Sequence, residues 1–192
     1  MKLILASQSP RRRELLGTIT DDFTIAPVRD VEEVYPRTLP AEEVPAYLSS
    51  LKAQAYSDLI ADGQTVVLTA DTVVILDGEI LGKPHDRRQA IEMLSALAGR
   101  THKVVTGVTL SGADGKTDTF NTVTEVTFGP LDMSDIEYYV DTYKPFDKAG
   151  AYGIQEWIGA AAVEKINGSY YNVVGLPLHA IFKHLRRFTA QR

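Results

Sequence analysis

The 192-residue chain contains no cysteine, which excludes disulfide bonds, thiolate metal sites and cysteine nucleophiles. It also lacks any run of consecutive apolar residues close to the roughly 18 that a membrane-spanning helix needs. The formal net charge of −5 argues against broad nucleic-acid binding, for which a basic face is expected. Because the apolar stretch from Leu3 to Ala6 is too short for the core of a signal peptide, we expect a cytoplasmic protein.

Sequence patterns typical of well-known phosphate and hydrolase sites are absent as well. There is no GxxxxGK[ST] and no GxGxxG, so any phosphate would be bound by another route. His179 and His184 are five residues apart, which is not the i, i+4 spacing of a helical metal site. No GxSxG pattern supports a serine nucleophile, although a Ser–His–Asp arrangement is not excluded.

What is present is an ordinary globular composition, with 44% hydrophobic and 23% charged residues. A chain of this length buries about 70% of its unfolded surface on folding. Strand patterns and helix patterns are mixed without strict alternation, and two hairpins are predicted. We therefore expect a mixed α/β fold, a sheet with flanking helices, rather than a doubly wound nucleotide fold. No linker divides the chain, so residues 1–192 are predicted to be one domain.

Local signals predict the elements around the candidate site. Ser9 and Pro10 are typical of an N-cap and a first helical position. A helical spacing of apolar residues predicts a helix ending near Ile60, and Ser134 is expected to cap a later helix. The β-rich run Thr65–Leu76 predicts a strand followed by a turn at Asp77-Gly78.

The first feature that is unfavourable at its predicted position is the run Arg11-Arg12-Arg13, which lies in the first turn of a predicted helix. The helix dipole makes that end positive, so each cation there costs about 0.3–1 kcal/mol. With Ser7, Ser9 and free backbone N–H groups, the three guanidinium groups would form a strong phosphate site. The alternative is a solvated basic turn.

The second is Asp71, which interrupts the otherwise uncharged run TVVLTADTVVIL. A carboxylate in a central strand is unfavourable unless it is paired, hydrogen-bonded or bound to a metal. It is interpreted either as a structural Asp satisfied by neighbouring N–H groups or as a metal ligand or general base.

Other candidates are weak when taken alone. Lys83 follows a predicted hairpin, and Lys52 lies on the flank of an apolar helical stripe, where lysines often extend along the surface. Glu33 lies in an acidic loop whose default state is solvation. The glycine-containing stretch from Asp147 to Gln155 predicts a shaped loop, with simple turn chemistry as the alternative.

Together these features resemble one family. The segments that carry the resemblance are ASQSPRRRELL, ADTVV, GKP, THKVVTGV, DKAGAYGIQ and INGSYYNVVGLP, which occur in order between Leu3 and about Leu185. They are similar to the motif series of the Maf family of nucleoside triphosphate pyrophosphatases. The resemblance implies a mixed α/β fold of the inosine-triphosphatase type with a cleft between two lobes. It implies hydrolysis of a nucleoside triphosphate to monophosphate and pyrophosphate with a divalent metal, Mg²⁺ or Mn²⁺.

The resemblance also implies residue roles. Asp71 matches the family's proton acceptor, and Glu33 matches an acidic residue that handles metal or water, so these two are the expected metal ligands. The residues matched to the phosphate site are Ser7, Arg12, Arg13, Lys52 and Lys83; of these, the two lysines are expected to act in catalysis. The residues matched to substrate preference are Arg11, Thr72 and Gln155, and the set resembles the subfamily acting on dTTP and UTP.

Two other functions are retained as alternatives. A nucleotide-binding regulator of cell division or septum formation would not need turnover, but it also would not need the Asp71 carboxylate beside a polyanion. A phosphomonoesterase would release inorganic phosphate instead of pyrophosphate. The expected partner is the nucleoside triphosphate, with a homodimer as a further candidate and without DNA, RNA or a membrane.

Overall fold

In the computed structural model, which describes residues 2–113 and 115–190, strands and helices alternate irregularly along the chain. The strands are β1 (Lys2–Leu5), β2 (Phe23–Ile25), β3 (Thr65–Leu76), β4 (Glu79–Leu81), β5 (Thr101–Ser111), β6 (Thr117–Phe128) and β7 (Val163–Asn167). The helices are α1 (Pro10–Gly17), α2 (Val44–Gln54), α3 (Arg87–Leu97), α4 (Met133–Tyr143), α5 (Trp157–Ala162), α6 (Tyr170–Val174) and α7 (Leu178–Ala190). Short 3₁₀ turns lie at Ala41–Glu43, Ser57–Ile60 and Ala149–Ala151.

The strands form one mixed sheet in the order β2-β1-β3-β5-β6-β7, and β4 pairs with β3 beside that path. β1 is parallel to both neighbours, so that Leu3 lies opposite Phe23 on one side and Val66 on the other. β4 and β7 are antiparallel to β3 and β6. The prediction of a mixed α/β fold with a mixed sheet is therefore confirmed.

The chain divides into two compact units, to which β3, β5 and β6 each contribute residues. Unit 1 comprises the described residues of Met1–Asp71, Thr106–Thr122 and Gly175–Arg192. Its main core consists of apolar side chains from β1, β3, β5, α1, α7 and the segment just before α7, of which Leu5, Leu16, Val66, Leu68, Leu110, Leu176 and Ile181 are fully buried.

Unit 2 comprises Thr72–Val105 and Val123–Val174. Helices α3, α4 and α5 bury their apolar faces in a separate core, which includes the fully buried residues Ala90, Leu94, Leu97, Val126, Tyr139, Val140 and Ile158. The assignment of residues 1–192 to a single domain stays a prediction. In the described part of the chain, no helix has the length and apolar content that crossing a membrane requires.

The start of α1 agrees with its sequence signal, because the Ser9 side chain accepts the backbone N–H of Arg12 and Pro10 opens the helix. The predicted cap at Ser134 is wrong. Helix α4 begins at Met133, because the carbonyl oxygen of Asp132 already accepts the N–H groups of Asp135 and Ile136.

Helix α2 is shorter than predicted and ends at Gln54 instead of near Ile60. The guanidinium group of Arg29 donates a hydrogen bond to the carbonyl oxygen of Ala55 and pairs with both carboxylate oxygens of Asp58, at 2.5 and 2.8 Å. A side chain, rather than a further helical turn, therefore satisfies a carbonyl group at the end of α2.

Candidate active site

The centre of the candidate site lies in unit 1, where Asp71 interrupts the apolar strand β3. Asp71 is 9% exposed, and its Oδ1 atom lies 2.5 Å from Nζ of Lys52 on α2. The same ammonium group lies 3.0 Å from Oε1 of Glu33. Three residues that the sequence separates by up to 38 positions are thus brought into one cluster, with Lys52 between the two carboxylates.

This cluster explains how a carboxylate is tolerated in β3. A buried carboxylate without a partner is strongly destabilising, whereas a charge-assisted hydrogen bond offsets much of that penalty. The Lys52 side chain is itself only 19% exposed, while that of Glu33 is 53% exposed. One cation and two carboxylates carry a combined charge of −1, so Lys52 halves the negative charge that the two acids would present to an anionic ligand.

The position of Lys52 depends on how α2 packs on the sheet. The Ser49 hydroxyl lies 2.8 Å from that of Thr109, and the Thr69 hydroxyl donates to the carbonyl oxygen of Ser49 at 2.7 Å. Gly107 allows the backbone of α2 to approach β5, because a β-carbon there would overlap the backbone of Pro45. Sequence reasoning missed these contacts, although a glycine inside a strand signals a close backbone approach.

Arg12 lies next to the same cluster. Its Nε donates to the carbonyl oxygen of Gly175 at 2.8 Å, and Nη1 donates to that of Ala70, the residue before Asp71, at 2.6 Å. Burial lowers the pKa of the Arg12 guanidinium, and the negative charges of Asp71 and Glu33 act against that shift. Arginine stays protonated in proteins, so Arg12 connects the start of α1 to β3 and brings a fixed positive charge to the cluster.

The remaining predicted phosphate residues of unit 1 lie along α1 and the loop before it. The Ser7 hydroxyl accepts the backbone N–H of Ser9 at 3.2 Å, Arg11 is half-buried, and Arg13 is exposed. A groove of about 590 Å³ runs beside this segment. It is lined by Ser7, Gln8, Ser9, Pro10, Arg13, Glu14, Gly17, Phe23 and Ile25. The N-terminal end of α1 therefore presents cationic and hydroxyl groups beside an open groove.

Unit 2 carries the other three candidates. Thr72 follows Asp71 in β3 and is half-buried, whereas Lys83 and Gln155 are exposed. The loop after β4 and the loop after α4 are joined by a hydrogen bond from the N–H of Gly150 to the carbonyl oxygen of Gly82 at 3.0 Å. The segments that carry Lys83 and Gln155 are thus bonded to each other within this unit.

The donor set for a metal is limited to carboxylates. Within residues 2–113 and 115–190, no three or more His, Cys, Asp or Glu side chains are grouped as a metal site. Asp71 and Glu33 offer hard oxygen donors on either side of Lys52. Mg²⁺ is commonly held by one or two carboxylates together with waters and substrate phosphates. The residues present fit that kind of ion, and they do not form a complete protein cage.

Comparison of the chain with known proteins shows its family. The model of the family described as "Maf-like protein" matches residues 2–188. The chain belongs to the Maf family. This Maf-family chain is 50% identical over 188 residues to a protein of Porphyromonas gingivalis, an alignment covering 97% of this chain and 94% of that one. It is 48% identical over 186 residues to a protein of Phocaeicola vulgatus, covering 97% and 95%.

Both of these relatives are named dTTP/UTP pyrophosphatase, as is a protein of Flavobacterium psychrophilum that is 46% identical over 188 residues, covering 98% of this chain and 95% of that one. Among solved structures, the chain is similar to the Ham1 protein of Staphylococcus aureus. That similarity has a TM-score of 0.49 and 20% identity, and it covers 67% of this chain and 72% of that one. The family resemblance read from the motifs is confirmed by the match over residues 2–188.

Proposed function

We propose that this Maf-family protein is a hydrolase that converts dTTP and UTP to the nucleoside monophosphate and pyrophosphate. The observation that carries the proposal is the cluster in which Lys52 contacts Asp71 at 2.5 Å and Glu33 at 3.0 Å. It places a buried carboxylate next to cationic groups suited to phosphates. The name shared by relatives at 46–50% identity supports the nucleotide specificity.

In the proposed reaction, water attacks the α-phosphorus and the bond from that phosphorus to the bridging oxygen breaks. Pyrophosphate leaves with the bridging oxygen, and Asp71 accepts the proton of the attacking water. Lys52 holds Asp71 in place and neutralises charge that develops on the phosphate oxygens. The basic segment Arg11–Arg13 with Ser7 binds the phosphate chain at the start of α1, where backbone N–H groups also favour anions.

Asp71 and Glu33 would hold the divalent cation that the resemblance implies, either Mg²⁺ or Mn²⁺. When bound, such an ion supplies positive charge to the phosphate oxygens. Lys83 is proposed to neutralise further phosphate charge, because a triphosphate carries close to four negative charges.

Base selection is proposed to involve Gln155, Thr72 and Arg11. The edge shared by thymine and uracil presents one N–H donor between two carbonyl acceptors, which cytosine lacks. The Gln155 amide offers both a donor and an acceptor, so it matches that edge in a bidentate way. A site built to hydrogen-bond one edge rejects other edges strongly, because buried polar groups are then left unpaired.

The test is a panel of dTTP, UTP, CTP, dCTP, ATP and GTP with Mg²⁺ or Mn²⁺, with pyrophosphate and monophosphate measured separately. We expect kcat/KM for dTTP and UTP to be well above that for the other nucleotides, with equal molar release of pyrophosphate and monophosphate. Release of inorganic phosphate would indicate a phosphomonoesterase instead. Tight binding without turnover would favour a regulatory nucleotide-binding protein.

The Gln155→Ala and Gln155→Glu variants test the base contact. Each is expected to reduce the preference for dTTP over CTP more than it reduces the rate on the best substrate. A ratio that is unchanged in both variants would show that Gln155 is only a loop residue. The cytoplasmic location and the homodimer stay predictions of the sequence.

A further inference from the structure

A chain of polar contacts holds the loop that follows α4 in unit 2. Nζ of Lys148 lies 2.8 Å from Oδ1 of Asp147 and 3.1 Å from Oε1 of Glu156. The second carboxylate oxygen of Glu156 accepts a hydrogen bond from the Tyr139 hydroxyl. That hydroxyl accepts the backbone N–H of Gly153 at 3.0 Å. The contacts therefore close a ring from the loop to α4 and back to the loop.

The burial of this network is unusual for charged groups. Lys148 is 8% exposed and Tyr139 is fully buried, whereas lysine is almost never buried unless it is paired. Burial, and then the hydrogen bond to Glu156, raises the pKa of the Tyr139 hydroxyl, so Tyr139 remains a donor. A buried ion pair is weak grounds for stability, because apolar residues of similar volume often serve as well. The other role open to such a pair is to fix the geometry of the groups around it.

Gln155 lies between Gly153 and Glu156, two members of this network. It is exposed, while Ile154 before it and Ile158 after it are buried. A β-carbon on Gly153 would lie 3.0 Å from Nε2 of Gln155 and 3.1 Å from Cε of Lys148. The Gln155 amide therefore lies beside Gly153, the residue whose N–H is bonded into the network.

We propose that Lys148, Glu156 and Tyr139 are positioning residues for Gln155, and that they determine base discrimination without contacting the nucleotide. This inference rests on the proposed function, which assigns Gln155 to the nucleobase. A bidentate amide contact requires both amide atoms at fixed positions, and an exposed glutamine has rotamer freedom to lose on binding. The network fixes the backbone on both sides of Gln155, so binding does not also have to order the loop that carries the amide.

The test compares Glu156→Gln and Tyr139→Phe with wild type. Glu156→Gln keeps an acceptor for Tyr139 but removes the charge that pairs with Lys148, and Tyr139→Phe removes only the hydroxyl group. The readout is the ratio of kcat/KM for dTTP to that for CTP. We expect each variant to lower this ratio by roughly 3- to 10-fold, the equivalent of about one net hydrogen bond. The change is expected mainly in KM for dTTP, with kcat on CTP retained.

A matched control is Glu137→Gln, which makes the same chemical change in the same unit. The Glu137 carboxylate lies 3.3 Å from Arg87 on an exposed face, so its loss is expected to leave the ratio within twofold of wild type. Melting temperatures are measured for all variants. If both network variants melt at lower temperature but keep the wild-type ratio, the network is only structural and the inference is overturned.

A double-mutant cycle separates the inference from the function on which it rests. In a Gln155→Ala background, Glu156→Gln should change the ratio by less than twofold, because the positioned group is already gone. A full effect in that background would overturn the positioning role. If wild type does not distinguish dTTP from CTP, or Gln155→Ala alone leaves the ratio intact, then the assigned role of Gln155 fails. If Gln155→Ala reduces the ratio and neither network variant does, only the positioning role fails.

Discussion

The Ser49 hydroxyl lies 2.8 Å from that of Thr109, so α2 is hydrogen-bonded to β5 about one helical turn before Lys52. Both residues are buried, and Thr69 adds a bond to the Ser49 carbonyl oxygen. Helix α2 is therefore held against the sheet by buried hydrogen bonds. Since Lys52 is the residue that joins Asp71 to Glu33, packing in the core controls the geometry of the site.

The close approach at Gly107 gives the first prediction. Gly107→Ala would overlap the backbone of Pro45 and Ala46, which cannot move as a flexible side chain can. We expect a loss of about 1–3 kcal/mol in the free energy of unfolding, the usual range for overpacking. We also expect a lower kcat/KM, because α2 and Lys52 shift together. Urea denaturation and steady-state kinetics measure the two effects.

The control for this prediction is Gly17→Ala, because a β-carbon at Gly17 meets no atom within 4 Å. It is expected to unfold at the same urea concentration as wild type or at a higher one, since alanine favours the helix. Equal stability of Gly107→Ala and wild type would contradict the close approach of α2 to β5.

Several elements around the site were predictable because their signals are local. A proline after a serine marked the start of α1, and the uncharged run around Asp71 marked β3 as a buried strand with one costly carboxylate. Those two features depend on neighbours in the sequence. For that reason, both can be predicted without knowledge of the tertiary structure.

The parts that could not be predicted depend on distant residues. Arg29 bonds the carbonyl oxygen of Ala55, just past the end of α2, from 26 positions away, and the carbonyl oxygen of Gly175 accepts from Arg12 across 163 positions. The sequence predicted a shaped loop around Lys148, but the ion pair of Lys148 with Glu156, and the bond from Tyr139 to Glu156, are visible only once the chain folds. The hydrophobic periodicity that predicts helices and strands does not indicate contacts between such distant residues.

The proton acceptor gives the second prediction. Asp71→Asn keeps the shape of the side chain and removes its charge and basicity, so turnover is expected to fall by about 10²–10⁴. Nucleotide binding should be retained better than hydrolysis, because a charge that repels the triphosphate is gone. Lys52 keeps its contact with Glu33, so the fold should persist. Single-turnover pyrophosphate release and equilibrium binding of dTTP measure the two effects.

The matched control is Asp77→Asn, the same change at the turn after β3. Asp77 has a positive φ of 52°, which asparagine tolerates, and its carboxylate pairs with Arg100 on an exposed surface. This variant should keep wild-type turnover. Wild-type kcat in Asp71→Asn would refute the assignment of Asp71 as the proton acceptor.

The two lysines give the third prediction, because they differ in burial. Lys52→Met removes the cation shared by Asp71 and Glu33, so we expect a stability loss of about 1–3 kcal/mol together with a roughly 10- to 150-fold loss of kcat/KM. Lys83→Met should lower kcat/KM within the same range, but it should change stability by no more than about 0.5 kcal/mol because Lys83 is exposed. Thermal melts and kinetics on dTTP distinguish the two. A destabilised Lys52→Met enzyme with intact kcat/KM would make Lys52 purely structural.

The fourth prediction concerns pH and the buried His102. This residue is 2% exposed, its Nε2 lies 2.7 Å from the Tyr152 hydroxyl, and the Phe128 ring packs against it edge-on. Among the described residues, its Nδ1 has no hydrogen-bond partner. Burial lowers the pKa of His102 from 6.5 to about 4. The unfolded chain therefore binds this proton more readily than the folded protein between those two values.

The contribution of neutral, buried His102 to the free energy of unfolding is fully present above pH 6.5. It is lost as the pH falls toward 4, at up to about 1.4 kcal/mol per pH unit. Between pH 7 and pH 5, His102 should remove about 2 kcal/mol from the free energy of unfolding. His102→Gln keeps a polar partner for Tyr152 but does not titrate, so urea denaturation at the two pH values should show a smaller acid loss by about that amount. His85→Gln, a change at an exposed histidine, should retain the wild-type acid loss. An equal pH dependence in wild type and His102→Gln would show that other groups cause the acid sensitivity.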